Sequence, residues 1–314
     1  MTYRTLLRST FAFLATLLLS ATAHAGLFRA YVSSTGNDAN ACTLQAPCRL
    51  LPAALAAVND GGEIWMLDSA NYNTATVNIN KSVSILAVPG AVGSVLAING
   101  PAVSIATDNL VIALRNLVFA PLSGASGTNG VYMSGASRLT IESSQMANLS
   151  GNGVFVTGAG RLEVANSIIR DNAGYAVYLS EGAAADISST KMLNNGNGGI
   201  VAYVSGAGTT TATVSDSVIS GGRDGVYASA TITGAAARIF VTRCTIQNTI
   251  DFALVNQTLN AGIAVIAVSN STIVNNNFAW SINGTGSIIR SLGNNNITDN
   301  TSGSIGTLTT APQQ

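Results

Sequence analysis

The sequence predicts an all-β fold in which short parallel strands coil and stack, and three observations indicate it. The first is a four-position pattern that recurs six times: an apolar residue, then Ser, Thr or Cys, then an apolar residue, then usually Asn or Asp. The second is its regular spacing of 23 residues, later 27. The third is the alternation of apolar and polar residues within each copy, which is typical of strands. A pattern kept in step over six copies indicates one stacked supersecondary unit.

The four positions of the repeat define four columns, because stacked coils lie about 4.8 Å apart. The first column is Ile141, Val164, Ile187, Val214, Val241 and Val268. The second is Ser144, Ser167, Thr190, Ser217, Cys244 and Ser271. The fourth is Asn148, Asp171, Asn194, Gly221, Asn248 and Asn275. Asn tolerates left-handed backbone, so the fourth column is predicted to form a turn whose amides hydrogen-bond between coils.

Residues 1–25 are predicted to be a secretory signal peptide. Arg4 and Arg8 form a basic start, residues 11–19 are apolar but too short to span a bilayer, and a small-x-small cleavage site follows. Removal of this segment would take away His24, the only histidine. We therefore expect no Ser-His-Asp or Cys-His catalysis and no His-based metal site. No membrane span is expected after the signal, so the protein is predicted to be secreted, periplasmic or at the cell surface.

The charge balance argues against a nucleic-acid partner. The sequence contains 14 basic and 14 acidic residues, and loss of Arg4 and Arg8 would leave a slight acidic excess. A nucleic-acid-binding protein needs a basic face. Only 9% of the residues are charged, which suits a β fold rich in turns better than a helical domain.

The remaining chain is divided into three parts. Residues 26–62 are predicted to be an N-terminal segment that ends in a short helix over 50–59, with Pro52 in its first turn. This amphipathic helix is expected to cover the open end of the stack. Residues 63–300 are predicted to form the coiled β domain, with three short strands in each repeat. Residues 301–314 are expected to be a polar tail that frays.

The three cysteines are predicted to play two roles. Cys42 and Cys48 lie close together in a polar stretch of an exported chain, so we expect a disulfide that contributes roughly 2 kcal/mol. Cys244 occupies the Ser/Thr column and is expected to be a buried free thiol. A reactive nucleophile is the alternative for Cys244, but no histidine is available to activate it.

The repeats, over roughly residues 60–300, resemble the right-handed parallel β-helix proteins of the pectin-lyase-like superfamily. Four N-terminal segments are similar to the start of exported bacterial members without assigned activity: residues 36–38, 47–49, 53–55 and 61–64. The resemblance implies a single-stranded right-handed parallel β-helix with three strands per rung and a short N-terminal capping helix. It implies no single activity, because the superfamily includes lyases, hydrolases, esterases, epimerases, adhesins and phage spikes.

One outward face of the predicted coil carries charged residues on successive rungs. The register places Glu142, Glu163 and Asp186 in an acidic group, with Arg138 and Arg161 adjoining. These five are the candidate catalytic residues, and the three carboxylates are the candidate ligands if Ca²⁺ binds. No cofactor is otherwise required.

Two interpretations of this charged face are open. In an enzyme, Ca²⁺ would bridge the carboxylates to a uronate while an arginine holds the substrate or takes its proton, as in the resembled pectate lyases; a glycosidase would need only two carboxylates. Alternatively, the side chains form solvated cross-strand ion pairs, each contributing about 0–1 kcal/mol. The Asp-Asp, Gly-His-Gly and Arg-x-Lys motifs of the resembled polygalacturonases are missing from the sequence, which favours the second interpretation.

A second outward column is aromatic. Tyr132, Phe155 and Tyr178 occupy equivalent positions on successive rungs, followed by Val201 and then Tyr227. A row of rings could stack against sugar rings, which makes the four aromatic residues candidates for carbohydrate binding. Cross-strand packing on an exposed sheet would explain the same residues without a ligand.

A third charged group lies near the predicted turns. It contains Arg170, Asp171, Lys191, Arg223 and Asp224. Arg170 and Lys191 would place two cations beside the one carboxylate of Asp171. Such an arrangement would suit only an anion, so this group is the weakest candidate site.

Taken with the missing motifs, these features predict an exported, non-catalytic scaffold or carbohydrate-binding protein with a polysaccharide partner. The alternative is a polysaccharide-active enzyme, a uronan lyase or glycosidase, that acts on an outer face of the coil. The sequence leaves the oligomeric state open.

Overall fold

The computed structural model describes residues 26–311. The predicted signal peptide, residues 1–25, lies outside the described residues. The chain winds into a right-handed parallel β-helix of about nine turns with three parallel sheets. This confirms the predicted fold class.

The described chain contains one helix, α1 (Leu51–Ala57), and 32 strands. The strands are β1 (Leu27–Val32), β2 (Val58–Met66), β3 (Ala70–Asn71), β4 (Val77–Asn78), β5 (Val83–Ala87), β6 (Gly93–Ala97), β7 (Val103–Ile105), β8 (Val111–Arg115), β9 (Leu117–Pro121), β10 (Val131–Met133), β11 (Arg138–Glu142), β12 (Gln145–Ala147), β13 (Val154–Thr157), β14 (Arg161–Ala165), β15 (Ile168–Arg170), β16 (Tyr175–Ser180), β17 (Ala184–Ser188), β18 (Lys191–Leu193), β19 (Gly198–Val204), β20 (Gly208–Ser215), β21 (Val218–Ser220), β22 (Asp224–Ala230), β23 (Ala235–Thr242), β24 (Thr245–Gln247), β25 (Phe252–Thr258), β26 (Ile263–Ser269), β27 (Thr272–Val274), β28 (Phe278–Asn283), β29 (Ser287–Ser291), β30 (Asn296–Thr298), β31 (Ser304–Ile305) and β32 (Thr309–Thr310).

Each complete coil contributes one strand to each of three sheets, while β1 and β32 at the two ends add to the first sheet only. The first sheet has 12 strands in the order β1-β2-β5-β8-β11-β14-β17-β20-β23-β26-β29-β32. The second has ten, β3-β6-β9-β12-β15-β18-β21-β24-β27-β30. The third also has ten, β4-β7-β10-β13-β16-β19-β22-β25-β28-β31. All these pairings are between strands one coil apart, as expected for a single chain wound in one direction.

The predicted columns are superposed in space. In the first sheet Ile141 pairs with Val164 and Val164 with Ile187, and the register continues in step to Val268. These side chains are almost fully buried and belong to one continuous hydrophobic core that fills the coil. The repeat therefore sets the register, because its apolar positions all have to face the same interior.

The Ser/Thr/Cys column forms a buried ladder at the corner between the first and second sheets. The backbone N–H of Ser144 donates to Ser167 Oγ at 3.2 Å, and the N–H of Thr190 donates to Ser217 Oγ at 3.1 Å. Cys244 is 3% exposed and is a free thiol in this ladder, as predicted. Its burial raises the pKa of the thiol, which disfavours the nucleophilic thiolate.

The Asn column adopts the left-handed backbone that the sequence predicts. The φ angles of Asn148, Asp171 and Asn194 are 61°, 56° and 51°. The predicted amide ladder, however, is formed by the following residue. Asn172 Nδ2 donates to Asn195 Oδ1 at 2.8 Å, and both residues are 1% exposed. The left-handed residue turns the chain so that the side chain of the next residue points inward. There its amide can form hydrogen bonds with buried backbone groups.

The N-terminal segment differs in detail from the prediction. Helix α1 is shorter than residues 50–59, because the backbone is already extended at Val58, where strand β2 begins. Strand β1 pairs with β2, so the first sheet begins before residue 63. Leu51 and Leu55 of α1 pack into the same core, which places the helix over the end of the coil as expected. Cys42 and Cys48 form the predicted disulfide.

The C-terminal segment also differs from the prediction. Strands β31 and β32 lie beyond residue 300 and pair with β28 and β29. Parallel pairing uses backbone groups, so a polar segment can continue the coil without apolar side chains. Among residues 26–311, no helix has the length and apolar character needed to cross a membrane.

Candidate functional site

Four of the five predicted catalytic residues share one depression on the outer face of the first sheet. Arg138 pairs in register with Arg161, and Glu163 pairs with Asp186. Together with Leu162 these side chains line a shallow depression of about 190 Å³. No ion pair in the described chain includes any of the four charged residues. Their charges therefore remain available to a ligand. We call the surface formed by these four residues the charged depression.

Glu142 is engaged elsewhere. Its Oε2 accepts a hydrogen bond from Arg115 Nε at 2.7 Å, and Arg115 Nη1 also donates to Ser84 Oγ at 2.8 Å. The pairing of Glu142 with Arg115 follows from the register of β8 and β11. Reasoning from the sequence missed it because Arg115 precedes the clearest repeats.

The carboxylates of this face are not grouped into a set of metal ligands in the described part of the chain. Within residues 26–311, no three His, Cys, Asp or Glu side chains are grouped so that they could hold a metal ion. Ca²⁺ binding by Glu142, Glu163 and Asp186 therefore stays a prediction.

The predicted aromatic row lies on the outer face of the third sheet. Tyr132, Phe155 and Tyr178 are in register on β10, β13 and β16, and all three are partly exposed. The ring centroids of Tyr132 and Phe155 are 5.2 Å apart, and those of Phe155 and Tyr178 are 4.7 Å apart, both edge to face. These three residues are hereafter called the aromatic row.

The aromatic row continues into a group of tyrosines on the next coils. Val201 occupies the row position above Tyr178 but is only 2% exposed, and Tyr227 follows on β22. Tyr175 lies beside the row, with its ring centroid 6.0 Å from that of Tyr178. Tyr203 is partly exposed on β19. We call Tyr175, Tyr178, Tyr203 and Tyr227 the tyrosine cluster.

Burial is the main influence on the pKa values of three residues of the tyrosine cluster, Tyr175, Tyr178 and Tyr227. Burial raises the pKa of Tyr178, and the nearby Tyr203, Glu181 and Tyr227 raise it further. Burial is also the main reason why the pKa values of Tyr175 and Tyr227 are raised. Tyr227 additionally donates a hydrogen bond to Gln257 Oε1 at 2.5 Å.

Sequence reasoning missed Tyr175 for a local reason. Two consecutive residues, Ala176 and Val177, face the core at the start of β16, so strict alternation fails there. Tyr175 therefore falls on the same outer face as Tyr178, three positions away. The column of small residues at position 176 and its equivalents was the signal that could have revealed this corner.

The third predicted group is divided between two places. Arg170 forms an ion pair with its neighbour Asp171. Asp224, by contrast, begins strand β22 beside the tyrosine cluster, and its side chain is only 7% exposed although Arg223 Nε lies 3.9 Å from it. Arg170 and Arg223 are each paired with a carboxylate, Asp171 and Asp251, which does not favour an anion at this weakest candidate site.

Comparison with known families agrees with this architecture. The family described as "Right handed beta helix region" matches residues 94–246, just under half of the chain. The fold of the chain is that of a right-handed parallel β-helix. No curated protein sequence matches this β-helix protein significantly.

Two solved structures are similar in fold. The structure of pectate lyase Pel9A has a TM-score of 0.60 and 16% identity, over 86% of this chain and 77% of that one. An alginate lyase from Paenibacillus sp. str. FPU-7 has a TM-score of 0.54 and 12% identity, over 90% of this chain and all of that one (100%). At such low identity the likeness shows the fold alone.

Proposed function

We propose that this β-helix protein is an exported, non-catalytic protein that binds a polysaccharide along the outer face of its third sheet. The observation that carries the proposal is the aromatic row: three partly exposed rings superposed on consecutive coils and continued by the tyrosine cluster. Ring spacing of about 5 Å follows from the stacking of the coils. An extended glycan laid along the row would meet one ring per coil.

Several features support binding without cleavage and a location outside the cytoplasm. Histidine occurs only at position 24, within the predicted signal peptide. Glu142 is held in an ion pair with Arg115, outside the charged depression. The Cys42–Cys48 disulfide fits an oxidising compartment, because disulfides are rare in the cytosol.

Substitution of Tyr178 tests the aromatic row. Retention of the protein on immobilised polysaccharides, both neutral glucans and galactans and acidic pectate and alginate, is measured by affinity electrophoresis. Tyr178→Ala is expected to weaken the retention roughly tenfold, since a lost aromatic contact costs about 1–1.5 kcal/mol.

The matched control is Phe240→Ala, which removes an aromatic side chain that is 45% exposed on the first sheet. It should leave retention unchanged. The proposal fails if the wild-type protein is retained by none of the polymers, or if Tyr178→Ala is retained as strongly as the wild type.

Cleavage of a polysaccharide at the charged depression is the second candidate function. It is favoured by the clustering of Arg138, Arg161, Glu163 and Asp186 in one depression, and the two similar structures are those of enzymes named for pectate and alginate. The arginines could hold the carboxylate of a uronate while the acidic residues act on the bond. Ca²⁺ could assist by neutralising the substrate.

Product formation decides between the two functions. The protein is incubated with pectate and alginate, with and without Ca²⁺, and the absorbance of unsaturated ends and the new reducing ends are recorded. Non-catalytic binding predicts no product from either polymer. Product that disappears in Glu163→Gln but persists in Asp216→Asn, an exposed residue paired with Arg243, would establish cleavage instead.

A further inference from the structure

Asp224 carries a buried carboxyl oxygen without a partner. Its side chain is only 7% exposed, and Oδ1 is a buried atom that accepts no hydrogen bond. Leaving a buried polar atom unpaired typically costs about 1–3 kcal/mol. The backbone N–H of Phe252 hydrogen-bonds the carboxyl group, but Oδ1 itself has no partner among the described residues and can accept a donor from outside the protein.

The charged neighbours of Asp224 do not satisfy it. Arg223 Nε is 3.9 Å from Asp224 Oδ2, which is too long for a hydrogen bond. The same Nε donates instead to Asp251 Oδ2 at 2.9 Å. Two carboxylates therefore share one guanidinium, and the local charge is negative.

The register of the third sheet places Asp224 in one column with Tyr175. The column that contains Asp224 has Tyr175 two coils earlier and Gly198 between them, so no side chain separates the two. Gly198 has a φ of +140°, and a Cβ there would lie 1.9 Å from the carbonyl oxygen of Asp224, so only glycine fits. Tyr175 and Tyr227 both lie near enough to Asp224 for its charge to raise their pKa values.

We propose that Asp224, Tyr175 and Tyr227 form a subsite for an uncharged sugar unit, on the same face as the aromatic row. Oδ1 accepts a hydrogen bond from a ring hydroxyl, and the two phenol rings contact the apolar face of the sugar. This inference rests on the proposed polysaccharide binding and adds the class of ligand. A uronate is disfavoured, because its carboxylate would meet the negative charge of Asp224 and Asp251.

Access to Oδ1 requires a small movement of the rings beside it. Tyr175 and Tyr227 are partly exposed, and exposed side chains change rotamer within nanoseconds.

The test measures binding of the full protein by isothermal titration calorimetry. The probes are neutral oligosaccharides of glucose, mannose and galactose, and oligogalacturonate is the acidic counterpart. Asp224→Leu is expected to weaken binding of the preferred neutral oligosaccharide roughly tenfold or more, because hydrogen bonds to a charged group contribute about 1.5–3 kcal/mol. Tyr227→Leu, which keeps an apolar side chain, is expected to weaken it as well.

Asp216→Asn is the control, since it makes a like change of charge at an exposed turn. The melting temperature of each variant shows whether it is folded, and Tyr227→Leu carries the test if Asp224→Leu does not fold. Neutral-sugar binding that is unchanged in both variants overturns the subsite but leaves polysaccharide binding intact. The same holds if the wild type binds only oligogalacturonate, whereas binding of no glycan overturns both proposals.

Discussion

Replacement of Asn195 by leucine is expected to lower the free energy of unfolding by about 4 kcal/mol, because it leaves several buried groups unpaired at once. Asn195 Oδ1 accepts hydrogen bonds from the backbone N–H of Asn172 at 3.3 Å and from Asn172 Nδ2 at 2.8 Å. Asn195 Nδ2 donates to the carbonyl oxygen of Ile169 at 2.9 Å. Leucine has a similar volume but can make none of these bonds, so packing alone cannot offset the loss.

Chemical denaturation of Asn195→Leu beside Asn194→Gly measures this effect. Asn194 has a left-handed backbone, and Gly221 takes the same position one coil later, so glycine is expected to change the stability by less than about 0.5 kcal/mol. If Asn195→Leu is as stable as Asn194→Gly, the amide ladder does not hold the coils together.

Titration of Asp224 is expected to lower the free energy of unfolding by about 3 kcal/mol in total as the pH rises from about 3 to 7. Burial raises the pKa of Asp224 to about 6, although Arg223 acts in the opposite direction. The unfolded carboxyl titrates near 3.8. Between these two values the native state binds more protons than the unfolded state, so each step up in pH favours unfolding. The loss is nearly complete by about pH 7, one unit above the pKa of the folded state.

Asp224→Asn removes this titration and should abolish that part of the pH dependence, which is measured as the difference between the unfolding free energies of the two proteins from pH 4 to 7. Asp216→Asn should keep the wild-type slope in this range, because its hydrogen bond with Arg243 lowers the pKa of Asp216. Parallel curves for wild type and Asp224→Asn would show that the carboxyl is not buried. The other charged or phenolic groups near Asp224 are Arg223, Asp251, Tyr175 and Tyr227.

The fold could be predicted because a β-helix turns sequence periodicity directly into position. Residues one repeat apart become neighbours in adjacent coils, so the column from Ile141 to Val268 needed no long-range information. The same logic placed Glu163 beside Asp186 and Phe155 beside Tyr178.

The errors arise at corners, where alternation is interrupted. Two successive inward residues, Ala176 and Val177, bring Tyr175 to the outer face. A left-handed residue such as Asn194 reverses the orientation of the next side chain, so the amide ladder is formed by Asn195. Asp224 looks like a surface turn residue in the sequence, and only the packing of neighbouring coils buries it.

The boundaries of the coil were also hidden in the sequence. Strands β1, β31 and β32 lie outside the predicted limits of 63 and 300, since their pairing depends on backbone groups and not on the apolar repeat. The ion pair of Glu142 with Arg115 was missed for a related reason, because its partner lies on an earlier, less regular coil.

A crystal structure of the protein with a bound neutral oligosaccharide tests the central claim most directly. We predict electron density for sugar along the aromatic row, with a hydroxyl group within hydrogen-bonding distance of Asp224 Oδ1. Density confined to the charged depression around Arg161 and Glu163 would contradict the account and move the binding face to the first sheet.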